Sequence, residues 1–146
     1  MAENTIKIFT DGACKGNPGL GGWGALIIED GKEKEIHGGS FNTTNNKMEL
    51  VATIEALKLF KNPKIIELYT DSKYVKDGIT KWILNWKKNG WKNASKKPVK
   101  NTELWKELDE MVNYHDISWF WVKGHSNHRE NDIADALANK GIDELE

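Results

Sequence analysis

Two short segments of this chain end alike. Phe9-Thr10-Asp11-Gly12 closes residues 5–10, and Tyr69-Thr70-Asp71-Ser72 closes residues 65–70. Both runs are rich in β-branched and aromatic residues and read as strands. Residues 46–60 between them read as a helix. Asn46 and Glu49 are spaced as a capping pair, and Pro63 follows the end. A helix between strands implies a crossover, and a crossover implies parallel pairing. As parallel neighbours, the two strands would set Asp11 and Asp71 about 4.7–4.9 Å apart at the backbone. They would also stand at the carboxyl ends of strands, where open α/β sheets gather ligands. Two carboxylates that close repel, so they share a proton or bind a cation. A lone aspartate at a strand end is an ordinary turn or cap residue. The repeated Thr-Asp is what points further.

The remaining punctuation fills in the architecture. Residues 22–28 and 34–41 read as two more strands, joined through Glu29-Asp30-Gly31, and complete an antiparallel three-strand meander. Residues 71–89 read as helical, divided near Gly78, and residues 90–100 as a loop. Residues 102–114 carry Leu104, Trp105, Leu108, Met111 and Val112 on one helical face. Residues 117–122 read as a fifth strand and 131–140 as a last helix. The expected fold class is α/β, a mixed five-stranded sheet of three antiparallel and two parallel strands flanked by helices. A chain of 146 residues is the size of one domain, expected here over 1–146, and buries enough surface to need no disulfide or metal for its core. The single cysteine, Cys14, excludes an internal disulfide and fits a reducing, cytoplasmic compartment. No apolar run has the length of a membrane span, and the first residues lack the pattern of a secretion signal.

The net charge of −1 hides a division. Residues 73–100 hold nine lysines and one acid, Asp77, a net of +8, whereas the rest of the chain holds 12 basic and 21 acidic residues, a net of −9. Trp82, Trp86 and Trp91 lie inside the basic segment. A solvated lysine face over packed tryptophans is the ordinary outcome of such a run. Trp82 and Trp86 are one helical turn apart, however, with Lys87, Lys88 and Lys92 beside them. An aromatic and cationic surface of that kind suits phosphate neutralisation with stacking.

Further acids lie where they could join Asp11 and Asp71. Glu49 is near the start of the first helix, and Asp132 and Asp135 are in the first turns of the last. Each has a plain explanation as a capping or helix-dipole residue. Together they would make an all-oxygen site suited to Mg²⁺ or Mn²⁺ and not to zinc, for which Cys/His spacing is missing. His125 lies in a polar stretch between the last strand and last helix, where an imidazole can move protons. His115 and His128 carry no such expectation. The glycine-rich Gly16–Gly22 stretch lacks the Lys-Ser/Thr of a P-loop, and no Gly-x-Ser-x-Gly elbow is present.

These residues also form a recognisable series. Thr10-Asp11-Gly12-Ala13-Cys14-Lys15-Gly16-Asn17-Pro18-Gly19, Thr43-Thr44-Asn45-Asn46-Lys47-Met48-Glu49-Leu50, Tyr69-Thr70-Asp71-Ser72-Lys73-Tyr74-Val75, residues 82–100, and Val122-Lys123-Gly124-His125 with residues 131–138 resemble, in order, the motifs of bacterial type 1 ribonuclease H. The match spans nearly the whole chain. It implies a ribonuclease H-like fold with a basic helix-loop protrusion over about 80–100. It implies an endonuclease that cuts the RNA strand of an RNA–DNA hybrid by a two-Mg²⁺ mechanism. The implied metal-binding carboxylates are Asp11, Glu49, Asp71 and Asp135, the last chosen over Asp132 by the small-residue/Leu-Ala pair that follows it. His125 matches the family's proton-transfer histidine. Asn17, Asn45, Asn46 and Cys14 match positions that contact the hybrid. Thr44, Trp82, Trp91 and the lysines Lys87, Lys88 and Lys92 match positions engaging the DNA strand or its neighbourhood. Lys73 stands at a substrate position where glutamine is common, and Asn127 and Arg129 replace the family's usual Gly and Pro. The competing readings are a hybrid- or duplex-binding module without catalysis and a different nuclease on the same fold. A monomer without a membrane partner is expected.

Overall fold

Alternating side chains place Ile66, Leu68 and Thr70 on one fully buried face of a short strand and leave Ile65, Glu67 and Tyr69 on the other. That strand, β4 (Ile65–Thr70), lies fourth in a five-stranded sheet. The computed structural model describes residues 5–16, 18–122 and 129–146. The other strands are β1 (Ile6–Gly16), β2 (Gly19–Glu29), β3 (Lys32–Thr43) and β5 (Asp116–Trp121), in the order β3-β2-β1-β4-β5. β1, β2 and β3 pair antiparallel, whereas β4 pairs parallel with β1 and with β5. This is the expected mixed sheet.

The helices are α1 (Asn45–Leu57), α2 (Lys73–Asp77), α3 (Ile83–Lys88), α4 (Thr102–Tyr114) and α5 (Arg129–Asp143). α1 and α4 cover one face of the sheet over a core that includes Ile8, Leu50, Ile54, Leu68, Trp105 and Leu108. α5 covers the other face across β1, β2 and β3, its Ala134 packed on Phe9 and Leu26 of the sheet. Its approach depends on missing side chains. A Cβ on Gly24 would lie 2.4 Å from the Leu137 Cβ and 2.7 Å from the Ala134 carbonyl oxygen. Only glycine lets the helix backbone sit so near the strand.

Three local expectations change. The first strand, expected to end before Asp11-Gly12, does not: β1 runs on to Gly16, paired with β2 through Gly16↔Gly19. Only the parallel ladder to β4 stops early, at Phe9↔Tyr69. Asp11 therefore sits within a strand, at the point where its parallel neighbour leaves it. The cap of α1 is Thr44, whose hydroxyl accepts from the Lys47 amide at 3.2 Å, and not Asn46 paired with Glu49. That frees the Glu49 side chain. Finally, the helix after β4 does not break at Gly78. It widens into a π-helical turn over Gly78–Trp82 and continues as α3. A Cβ at Gly78 would lie 2.0 Å from the Trp105 ring, so this turn is pressed against the core.

Candidate metal centre

Each acidic side chain reaches the site by a different route. Asp11 comes from β1, held by a hydrogen bond from the Gly12 amide to its Oδ1 at 2.8 Å. Glu49 comes from the first turns of α1, which lies close enough that a Cβ on Gly12 would meet the Glu49 nitrogen at 2.6 Å. Asp71 follows β4 directly. The shared register of β1 and β4 brings Asp11 and Asp71 together two positions past the last paired residues. Oxygen atoms of Asp11, Glu49 and Asp71 all lie within 4.8 Å of one another. Asp135, from α5, shares a hydrogen bond with Asp11. The four acids line one cleft of about 230 Å³ together with Asn45, Asn131 and Asp132.

This arrangement is electrostatically strained without a cation. Burial, and then the charge of Asp71, push the Asp11 carboxyl up to about 8 from its ordinary value, against the Gly12 amide, which favours the ionised form. Glu49 is 5% exposed, and burial followed by the charges of Asp11 and Asp71 raises its pKa well above the carboxylate range. Its Oε1 is buried with no hydrogen-bond partner. An orphaned carboxylate oxygen aimed into a cleft shared with further carboxylates fits a hard divalent cation such as Mg²⁺. The donor set is all oxygen, and zinc-type Cys/His ligation is absent among the described residues of the cleft.

The structure distributes the other expected residues unevenly. Asn45 lines the cleft, and Asn46 is exposed beside it in the first turn of α1. Thr44 is committed to the helix cap. The Cys14 thiol donates to the Thr43 carbonyl at 3.4 Å. Lys73 is exposed at the start of α2, next to Asp71. Trp82 and Trp91 are half-buried and pack with Trp86 on the core, whereas Lys87, Lys88 and Lys92 are exposed. The Lys87 ammonium lies 2.8 Å from Asp109. Asn17 and His125 lie outside the described residues.

Two polar residues in the cleft escape a reading from acids alone. Thr10 has a buried hydroxyl, and Asn131 a buried amide nitrogen, with no partner. Asn131 stands four residues before Asp135, one turn away on the same helix face, and that spacing is a signal present in the sequence. Asp132, set aside in favour of Asp135, also borders the cleft.

A mixed five-stranded sheet with a carboxylate cluster at the ends of its parallel strands defines the class: an α/β domain whose acids could together hold a metal ion. Comparison with known proteins narrows it. The sequence profile of the RNase H family matches residues 3–143. Ribonuclease H of Parvibaculum lavamentivorans is 60% identical over 96% of this chain and 93% of its own length, and that of Alcanivorax borkumensis is 62% identical over 96% and 93%. Among solved structures, LC9-RNase H1, described as a type 1 RNase H with the type 2 active-site motif, superposes with a TM-score of 0.87 at 31% identity, covering 100% of this chain and 75% of that one. LC11-RNase H1, solved with an RNA/DNA hybrid, superposes with a TM-score of 0.68 at 25% identity over 96% and 98%. The chain belongs to the RNase H family. It is a hydrolase and a nuclease, and its reaction is that of a ribonuclease H, cleavage of the RNA strand of an RNA–DNA hybrid.

Proposed function

We propose that Asp11, Glu49, Asp71 and Asp135 are the ligands that make this activity dependent on Mg²⁺, with Mn²⁺ as the alternative hard cation. The observation that carries the reading is the partnerless Glu49 Oε1, buried beside two further carboxylates. A bound divalent cation supplies neutralising charge, polarises a phosphate and lowers the pKa of a water. The protein's own residues set the conditions for that. In cation-free protein near neutral pH, Asp11 retains its proton, because burial and the charge of Asp71 disfavour its charged form, and the same two causes push the Glu49 carboxyl in the same direction. Cation binding therefore displaces protons, so affinity rises with pH. Asn45 and Asn131 offer amides at the rim of the cleft that can orient a ribose or phosphate oxygen. His125 is assigned proton transfer, and Cys14, Asn17, Thr44, Asn46 and Lys73 contact with the hybrid, by their match to the family's motifs. Trp82, Trp91, Lys87, Lys88 and Lys92 extend that contact along the basic segment, through phosphate neutralisation that carries no sequence readout.

The chain is proposed to act as a single domain and a monomer on the hybrid, in a reducing, cytoplasmic setting that suits its lone Cys14. No helix among the described residues is long and apolar enough to cross a membrane.

The test is cleavage of labelled RNA–DNA, RNA–RNA and DNA–DNA duplexes with Mg²⁺. Cutting is expected only in the RNA strand of the hybrid. Asp71→Asn is expected to retain the fold and hybrid binding while losing cleavage by at least about a hundredfold. Substantial Mg²⁺-dependent cleavage by that variant removes Asp71 from the metal centre.

A further inference from the structure

A second, smaller cavity of about 190 Å³ adjoins the metal centre and shares Asp71 with it. Its remaining walls are Ser72, Lys73, Lys76, Trp121 and Val122. The sheet register accounts for this grouping. Trp121 on β5 is paired with Thr70, the residue just before Asp71, and the Val122 amide donates to the Thr70 carbonyl at 3.0 Å. α2 then starts with Ser72 as its cap. From its second turn, Lys76 Nζ reaches to 6.0 Å from the centre of the Trp121 ring. The ring is itself backed by Trp119, stacked at 5.6 Å and 12°.

Lys73 and Lys76 are three residues apart, so they share a helix face. Two like charges there disfavour each other, and among the described residues neither has a carboxylate partner. Two lysines of the basic segment are paired instead: Lys81 lies 3.7 Å from Asp77, and Lys87 lies 2.8 Å from Asp109. An aromatic shelf under one of two exposed ammonium groups limits its motion while leaving its charge toward solvent. The pair stands directly next to the carboxylate that borders the metal centre. We infer that Lys76, held over Trp121 and acting with Lys73, is a phosphate-positioning residue for the strand being cut, and grips a phosphate that flanks the scissile one on the Asp71 side.

This rests on the metal-centre reading above and extends it by one contact. The bland alternative is that Lys76 merely offsets the negative field of the acids. The two differ in what salt does. A lysine that contacts a phosphate releases a counterion on binding, whereas a local counter-charge does not.

The test is equilibrium binding of an RNA–DNA hybrid in chelator, over a series of salt concentrations. For Lys76→Gln, binding is expected to weaken roughly five- to tenfold at low salt, and the slope of log affinity against log salt to fall by about one. Lys58→Gln is the control, because Lys58 lies at the end of α1 between Glu55 and Glu107, and its slope should match the parent. A second measurement locates the phosphate. A hybrid carrying one neutral methylphosphonate next to the cleavage site in the RNA strand should bind the parent protein less well and Lys76→Gln no worse than the unmodified hybrid. An unchanged slope, or an equal methylphosphonate penalty in both proteins, overturns the inference. Failure of the parent protein to cut hybrid RNA with Mg²⁺ instead overturns the proposed function, so the two failures are told apart.

Discussion

The acidic cleft and the basic segment are built by opposite rules. In the cleft, like charges are forced together and partly buried, and the fold bears the strain. In the segment over residues 73–100, the charges are spread over an exposed surface and the aromatic residues are drawn in beneath. Trp82, Trp86 and Trp91 form a chain of packed rings at 5.8 and 6.3 Å, and Trp86 packs on Trp105 at 5.4 Å. Tyr74 ties the group together, accepting at its hydroxyl from Trp105 Nε1 at 3.0 Å and Asn101 Nδ2 at 3.2 Å. The loop beyond is ordered by its own hydrogen bonds. The Asn93 side chain accepts from the amides of Ser95 and Lys97, and the Val99 amide donates to Trp91. The tryptophans are thus foundation and the lysines surface. One region stores electrostatic free energy that a cation can release, and in the other the charges stand in solvent, where their repulsion is screened.

The largest expected effect sharpens that contrast from the acidic side. Asp11→Asn should reduce hybrid cleavage by about a hundredfold or more, yet make the cation-free protein more stable at pH 8. The sign follows from the raised pKa. Between the ordinary carboxylate value near 3.8 and the folded value of about 8, the folded state holds a proton that the unfolded state has lost. Stability therefore falls as pH rises through that window. Thermal unfolding in chelator should show the midpoint of the parent dropping from pH 5 to pH 8, and Mg²⁺ or Asp11→Asn should flatten the drop, the latter raising the midpoint by roughly 5 °C at pH 8. A flat parent profile would mean the carboxylates are not strained.

Next in size is a test of the foundation. Trp86→Ala removes a half-buried ring that packs on Trp82, Trp91 and Trp105, and should cost about 3 kcal/mol of stability by denaturant unfolding. A loss below about 1 kcal/mol would mean that Trp86 is a surface residue like the lysines. The smallest effect on stability belongs to the lysines themselves. Lys88→Gln, Lys92→Gln, Lys96→Gln and Lys97→Gln together should change stability by less than about 1 kcal/mol, but lower the salt slope of hybrid binding by up to about one for each phosphate no longer neutralised. An unchanged slope would make the segment a solvated face and nothing more.

The degree to which the site is legible in the sequence follows the range of the interactions that build it. Asp11 and Asp71 are legible because their strands are parallel neighbours and end in the same dipeptide, a relation between two local patterns. Glu49 is legible as an acid near a helix start, but its spacing from Asn46 mimics a capping box. Thr44 takes that role, and the carboxylate is left to face the cleft. The tryptophans at helical spacing are consistent with either a stacking surface or a packed one, and Trp105, from a distant helix, draws them toward the core. Asp132 and Asp135 are both acids of the same helical turns. The packing of α5 on Gly22, Gly24 and Gly39 sets the helix against the sheet, where Asp135 meets Asp11.

By itself, then, the sequence determined the strand and helix order, the crossover that makes β1 and β4 parallel, and the separation of positive from negative charge. Those depend on residue type and on spacing within one or two elements. Tertiary structure alone decided that Thr10, Asn131 and Asp132 line the same cleft as the acids, how far burial raises proton affinity there, and which face of the basic segment meets solvent. The physical reason is that burial and Coulomb energy depend on distance in space. Those distances are set by where glycines let α1 and α5 close on the sheet, and by the register that carries Lys76 and Trp121 to the side of Asp71.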